Sequence, residues 1–167
     1  MSYLILEYFY GIIKIKKEFI FLMKNSYPQF IYNDGKAICT LQDKYGHIYQ
    51  GEAQCHPDDM DMESEKTGCE IAFKRAKIKL YQAYKNEIEI KIKAIHDLYY
   101  SLNQSKSFNE NSYESKMIQR QLRLLQFDLT TAKEIIATER KFLKEYIDSK
   151  ENFYKRIRAN RKHKGNS

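Results

Sequence analysis

The chain predicts an α+β fold: a three-stranded antiparallel β-meander packed on a long antiparallel α-helical hairpin of coiled-coil character. Three features carry that reading. Short segments between residues 27 and 55 are separated by Asp34-Gly35 and by Asp43-Lys44-Tyr45-Gly46, both of them turn sequences. Residues 67–102 repeat apolar side chains at helical spacing. Residues 113–160 do so again, with steps that alternate four and three. Only 6 Gly and 2 Pro in 167 residues fit few, long elements.

The first strand runs from Tyr27 to Asn33 and turns at Asp34-Gly35, a pair that readily adopts positive φ. The second, residues 36–42, puts Ala37, Cys39 and Leu41 on one face. The third, residues 47–55, presents Tyr49, Gly51, Ala53 and Cys55, mostly small enough for a helix to lie close. Pro57 ends the sheet, and residues 56–65 form an acidic loop with Asp58, Asp59, Asp61, Glu63 and Glu65.

The long helix at residues 67–102 organises the rest. Thr67 and Glu70 have the spacing of a capping box. Cys69, Phe73, Ala76, Leu80 and Ala83, then Ile88, Ile92, Ile95, Tyr99 and Leu102, form its apolar stripe. A helix of that length measures roughly 50 Å, too long for a small sheet to cover, so a second long element must pack on it. Residues 103–112 are a polar loop, with Asn111 and Glu114 suited to cap the second helix. That helix has the seam Ile118, Leu122, Leu125, Leu129, Ala132, Ile136, Leu143, Tyr146, Phe153 and Ile157. Glu139 and Lys150 interrupt it as polar seam residues.

Residues 1–22 differ in character from the rest. Lys16-Lys17-Glu18 can be encoded by a purine run resembling a bacterial ribosome-binding sequence, with Met23 downstream. Translation starting at Met23 is one reading; a β-hairpin or short helix packing on the body is the other. The expected organisation is therefore residues 1–22 as a distinct segment, 23–84 as meander and start of the first helix, 85–154 as helical hairpin, and 155–167 as a basic tail. The apolar stretch 3–23 is broken by Glu7, Lys14, Lys16, Lys17 and Glu18, so no membrane association is expected. Cys39, Cys55 and Cys69 are unevenly spaced and odd in number, as expected of free thiols in a reducing cytoplasm.

The net charge is +7, and its placement is uneven. Lys155, Arg156, Arg158, Arg161, Lys162 and Lys164 come after the last acid, Glu151. Residues 1–154 hold 23 basic and 22 acidic residues, so the body is nearly neutral and the end is cationic. Such an arm can neutralise phosphates by releasing counterions. Lys66, Lys74, Arg75, Lys77 and Lys79 add charge near the start of the first helix. The plainer account is a solubilising terminus and a solvated helix face.

Signals for other chemistry are weak. Cys39, His47, Cys55, His56 and Cys69 lack the paired ligand spacing of zinc sites, and the Asp58-to-Asp61 run lacks the calcium-loop pattern. The four histidines, His47, His56, His96 and His163, fall in separate settings, and no triad, phosphate loop or paired-carboxylate motif is present. The expectation is a non-enzyme with no metal and no cofactor.

The order strand, strand, strand, helix resembles the β-β-β-α half of a double-stranded-RNA-binding domain. Gly46 in the turn, Tyr49-Gln50-Gly51-Glu52-Ala53 on the third strand and Ile71-Ala72-Phe73-Lys74-Arg75-Ala76 on the helix carry the resemblance, over residues 27–84. It implies a topology. Those domains place a lysine cluster where this chain has an acidic loop and Lys66, so no binding residues carry over. The stretches Cys55-His56-Pro57-Asp58-Asp59 and Ser64-Glu65-Lys66-Thr67-Gly68 are similar to small phage accessory proteins of AT-rich Gram-positive bacteria. That implies a bacterial host cytoplasm.

Two functional classes are consistent with these features. In one, a non-enzymatic accessory protein binds nucleic acid or a nucleoprotein complex through Lys155, Arg156, Arg158, Arg161, Lys162 and Lys164, with Lys74 and Arg75. In the other, it binds a host protein, for example as an inhibitor of a CRISPR-associated nuclease; the positive charge argues against DNA mimicry. A homodimer is expected, because a long hairpin leaves apolar surface. Tyr81, Tyr84, Tyr100 and Tyr154, outside the main stripe, are candidate interface anchors.

Overall fold

The structure is a computed structural model that describes residues 27–55, 64–104 and 112–164, with side chains described through residue 159. It is α+β. Strands β1 (Gln29–Asn33), β2 (Lys36–Gln42) and β3 (Ile48–Gln54) form an antiparallel sheet in the order β1-β2-β3. Helices α1 (Glu65–Asn103) and α2 (Tyr113–Lys164) come next in the chain. The question of a start at Met23, residues 56–63 of the acidic loop and Asn111 lie outside the described residues, while Glu65, expected in that loop, is the first residue of α1. Among the described residues, no helix is long and apolar enough to cross a membrane.

Turn chemistry sets the sheet register. Asp34 (φ 46°) and Gly35 (φ 70°) both sit at positive φ, the geometry that joins twisted strands in two residues. At the other turn, Gly46 (φ 88°) donates its amide to the Asp43 carbonyl at 3.1 Å, and the Asp43 amide donates to His47 at 3.0 Å. The Asp43 side chain ties this loop together. Its Oδ1 accepts from the amides of Tyr45 (2.8 Å) and His47 (2.9 Å), and its Oδ2 meets His47 Nδ1 (2.9 Å) and accepts from the Tyr49 hydroxyl (3.0 Å). Burial pushes the carboxyl pKa up, but the bonds from His47, Tyr45 and Tyr49 outweigh it, so the net shift is downward.

A lowered folded pKa makes this contribution complete above the ordinary carboxylate range and lost as pH falls through the folded value. Asp43→Asn is therefore expected to cost about 1 kcal/mol at neutral pH. The gap from wild type should narrow progressively as pH falls below about 4. Urea melts at pH 7 and pH 3 check this; an equal gap at both would assign the loss to shape instead of charge.

The inner sheet face is built of small residues. Ala37, Cys39 and Leu41 on β2 are fully buried, and Ala53 on β3 is nearly so. Gly51 stands opposite Cys39 and faces α1, where Ala72 and Ala76 are fully buried. A Cβ on Gly51 would lie 2.0 Å from the Ala72 carbonyl oxygen and 2.4 Å from the Ala76 amide nitrogen. The helix backbone therefore rests directly on the sheet, and Phe30 meets Phe73 at the edge of this contact with ring centroids 6.5 Å apart. The outer face is less covered: Ile31 and Ile48 are 63% and 66% exposed.

The described residues divide into two compact units. One takes residues 81–104 with 112–136 and is helical. Ile88, Leu125 and Ala132 are its buried cluster, with Tyr84, Ile92, Ile95 and Leu129 packed on it. The Tyr99 hydroxyl reaches Ser115 Oγ at 3.5 Å and accepts from Gln119 at 3.3 Å, so the helices run antiparallel in this unit. Ser115 is fully buried, a small polar residue outside the predicted seam. The other unit takes residues 27–80 with 137–164. Here Lys77 bonds Glu139 at 2.6 Å and Tyr146 bonds Glu70, again antiparallel. Glu139, expected as a seam flaw, thus has a partner on α1.

Four local expectations are corrected. The first helix is capped by Ser64, whose Oγ accepts from the Thr67 amide at 3.3 Å; Thr67 is already inside the helix. The second is capped by Ser112, which accepts from the Ser115 amide at 3.2 Å, in place of the Asn111 cap. Tyr81, expected as an interface anchor, is 7% exposed and belongs to the interior. Phe153, expected in the seam, is 57% exposed, while Tyr154 is half-buried.

Candidate nucleic-acid interface

The predicted binding residues separate into two groups. Lys74 and Arg75 do not share a surface, because adjacent helical residues point about 100° apart. Lys74 Nζ lies 5.9 Å from the centre of the Tyr146 ring on α2. Arg75 turns the other way and donates from Nη1 to the Glu52 carbonyl of β3. The two contacts lie on different sides of α1. Of their neighbours, Lys77 is held by Glu139, and Lys66 and Lys79 are exposed.

The cationic end is different. It is a continuation of α2, which runs through Lys164. Residues 140–164 hold ten Lys and Arg against three Asp and Glu. Positive charge at a helix C-terminus also complements the helix dipole, one reason the helix persists there. Lys155 and Arg156 are exposed; Lys155 lies 3.9 Å from Glu151 one turn back. Arg158 is half-buried. Arg161, Lys162 and Lys164 are in the helix, beyond the described side chains.

Beside this helix lies a cleft of about 420 Å³ that residue spacing did not reveal. Its lining comes from four elements of one unit. Tyr32 of β1 and Ala53 of β3 contribute from the sheet, Thr67 and Ile71 from the first turns of α1, and Lys150 and Tyr154 from α2. Gly35 and Gly68 leave room: a Cβ on Gly68 would already stand 3.1 Å from Ala37 Cβ. Cys55 and Glu151 also face the cleft.

A hydrogen-bonded wall fixes α2 here. The Tyr146 hydroxyl donates to the Glu70 carboxylate, and Lys150 Nζ lies 5.3 Å from the Tyr146 ring centre. Lys74 and Lys150 thus approach the same electron-rich ring. Burial and the bond to Glu70 push the Tyr146 pKa up, while a bond with Thr67 opposes them. The wall is a positioning device for Lys150 and the residues after it.

Two of the three thiols are shifted by burial. Cys39 is fully buried on β2, and burial, with nearby Cys69, pushes its thiol up to about 11. Burial also raises Cys69. A thiol held protonated is a poor ligand and nucleophile. Among the described residues, no group of three or more His, Cys, Asp or Glu is placed to hold a metal ion. His47 is engaged with Asp43; His56 and Asp58 to Asp61 lie outside the described residues.

No protein-family model matches the chain, and the comparisons find no similar curated protein and no similar solved structure.

Proposed function

We propose that the protein is a non-enzymatic accessory protein that binds nucleic acid, alone or in a nucleoprotein complex, through the distal part of α2. The observation that supports this best is the charge of residues 140–164, ten basic against three acidic, carried on one continuous helix with Lys155 and Arg156 exposed. A helix holds cations at fixed spacing, so several phosphates can be met at once with less entropy lost than by a flexible tail.

The test is the salt dependence of binding. Arg156, Arg161, Lys162 and Lys164 are replaced together by Gln, a good helix former, so that charge changes and helicity does not. On duplex DNA the slope of log affinity against log salt is expected to flatten by about 0.9 for each phosphate no longer neutralised, up to about 3.6 in all. An unchanged slope, in a variant whose helix content by circular dichroism equals wild type, would overturn the reading.

A second reading is the protein-binding one, as an inhibitor of a host defence nuclease. The exposed Ile31 and Ile48 on the outer sheet face favour it. Ile31→Gln with Ile48→Gln, which changes no charge, separates the two: it should leave nucleic-acid affinity unchanged and abolish a protein contact made by that face.

A further inference from the structure

The cleft beside the distal part of α2 is lined by apolar and aromatic groups as well as by Lys150, a chemistry that phosphate binding alone does not use. We infer that it receives an unpaired base of a single-stranded nucleic acid, with the flanking phosphates held along α2. This deepens the nucleic-acid reading and rests on it.

The lining is mixed in the way a base demands. Tyr32 and Tyr154 supply aromatic faces, Ile71 and Ile147 supply apolar contact, and Gln54 and Ser64 supply donors and acceptors for a base edge. A volume of about 420 Å³ accepts one base with its sugar and does not accept a duplex. Bases in a duplex have both faces covered by their neighbours, so only a splayed or single-stranded base can enter.

Helical spacing then sets the backbone path. Lys150, Tyr154 and Arg158 are four residues apart and therefore lie on one face of α2, each about 6 Å along the axis from the next. A base against Tyr154 is bracketed by a cation on either side, in the alternation of aromatic and basic groups that serves single strands. Phe153 extends the aromatic surface: its ring lies 5.7 Å from that of Tyr154, edge to face, and is exposed. Glu151 lines the cleft too, and its carboxylate is 3.9 Å from Lys155.

The experiment uses the full chain with a twelve-nucleotide single strand carrying one 2-aminopurine, and with the matched duplex. The single strand is expected to bind at least about 10-fold more tightly than the duplex at equal salt, and its 2-aminopurine fluorescence to be quenched by stacking. Tyr154→Ala should weaken single-strand binding about 10-fold while leaving the salt slope unchanged, and Tyr154→Phe should retain wild-type affinity. The wild-type quenching decides the matter even if Tyr154→Ala fails to fold. Equal affinity for both forms, or no quenching, overturns the base pocket while leaving the phosphate reading standing. Absence of salt-dependent binding to either form overturns both.

Discussion

Gly51→Val is expected to cost about 3 kcal/mol or more, the largest loss from any single substitution considered for the sheet. The reason is the set of atoms that the new side chain would meet. A Cβ at Gly51 falls 2.0 Å from the carbonyl oxygen of Ala72, 2.4 Å from the amide nitrogen of Ala76 and 3.0 Å from Arg75 Cβ. The first two are backbone atoms of α1, and a backbone in the middle of a helix cannot step aside as a rotamer can. Truncating Ala72 or Ala76 to Gly removes no atom that clashes, so no such second change should rescue the variant. Even Gly51→Ala, which adds only the Cβ, should show most of the loss. For a domain whose whole stability is about 5–15 kcal/mol, the urea midpoint should fall by about 1–2 M. Gly68→Ala is the control. Its Cβ would meet side chains, Ala37 at 3.1 Å and Tyr32 at 3.5 Å, and the better helix propensity of Ala offsets that crowding. It should melt within about 0.5 kcal/mol of wild type. A Gly51→Ala variant as stable as Gly68→Ala would mean that α1 does not rest on the sheet at this spacing.

That contact is partly legible in the sequence, because alternation alone puts Gly51 and Ala53 on the same face as Tyr49, and small residues on a buried face imply close approach. The strands are legible for the same reason, with Asp34-Gly35 and Gly46 marking turns that need positive φ. The helices are legible from their period. What the period cannot give is a second buried face. Up to residue 80, α1 meets the sheet through Ala72 and Ala76 and meets α2 through Glu70 and Lys77, so one apolar stripe understates how much is buried. The caps are ambiguous because several hydroxyls stand in a row, and only geometry selects Ser64 over Thr67. The seam fails at Phe153 for a quantifiable reason. A straight helix drifts by about 20° per heptad from a strict 3.5-residue repeat, so five heptads from Ile118 rotate the inward position by about one residue, to Tyr154. The cleft is the least legible feature. Its walls come from four elements, and nothing in their spacing announces that Tyr32, Thr67 and Tyr154 line one space.

Lys77→Met is expected to cost about 2 kcal/mol, and adding Glu139→Leu is expected to recover it. The pair meets at 2.6 Å with side chains only 24% and 18% exposed, so both charges have lost most of their water. Removing the ammonium leaves the Glu139 carboxylate in that setting without its counter-charge, which for a fully buried pair costs about 3–5 kcal/mol. The residual exposure lowers the figure here. Replacing both partners removes the desolvation penalty together with the attraction, and apolar residues at these positions extend the seam that Glu139 interrupts. The double variant should therefore match or exceed wild type, and the cycle should show a coupling of about 2 kcal/mol or more. The pair would then be retained at a cost in stability, and its use is alignment: a charge on α2 that matches one position of α1 disfavours a shift of one helix turn, which an apolar seam tolerates. The double variant should accordingly melt as high as wild type but with a broader transition and weaker dispersion of the methyl signals around Leu143. A double variant clearly less stable than wild type would make the ion pair a net source of stability, and the alignment role would have no physical basis.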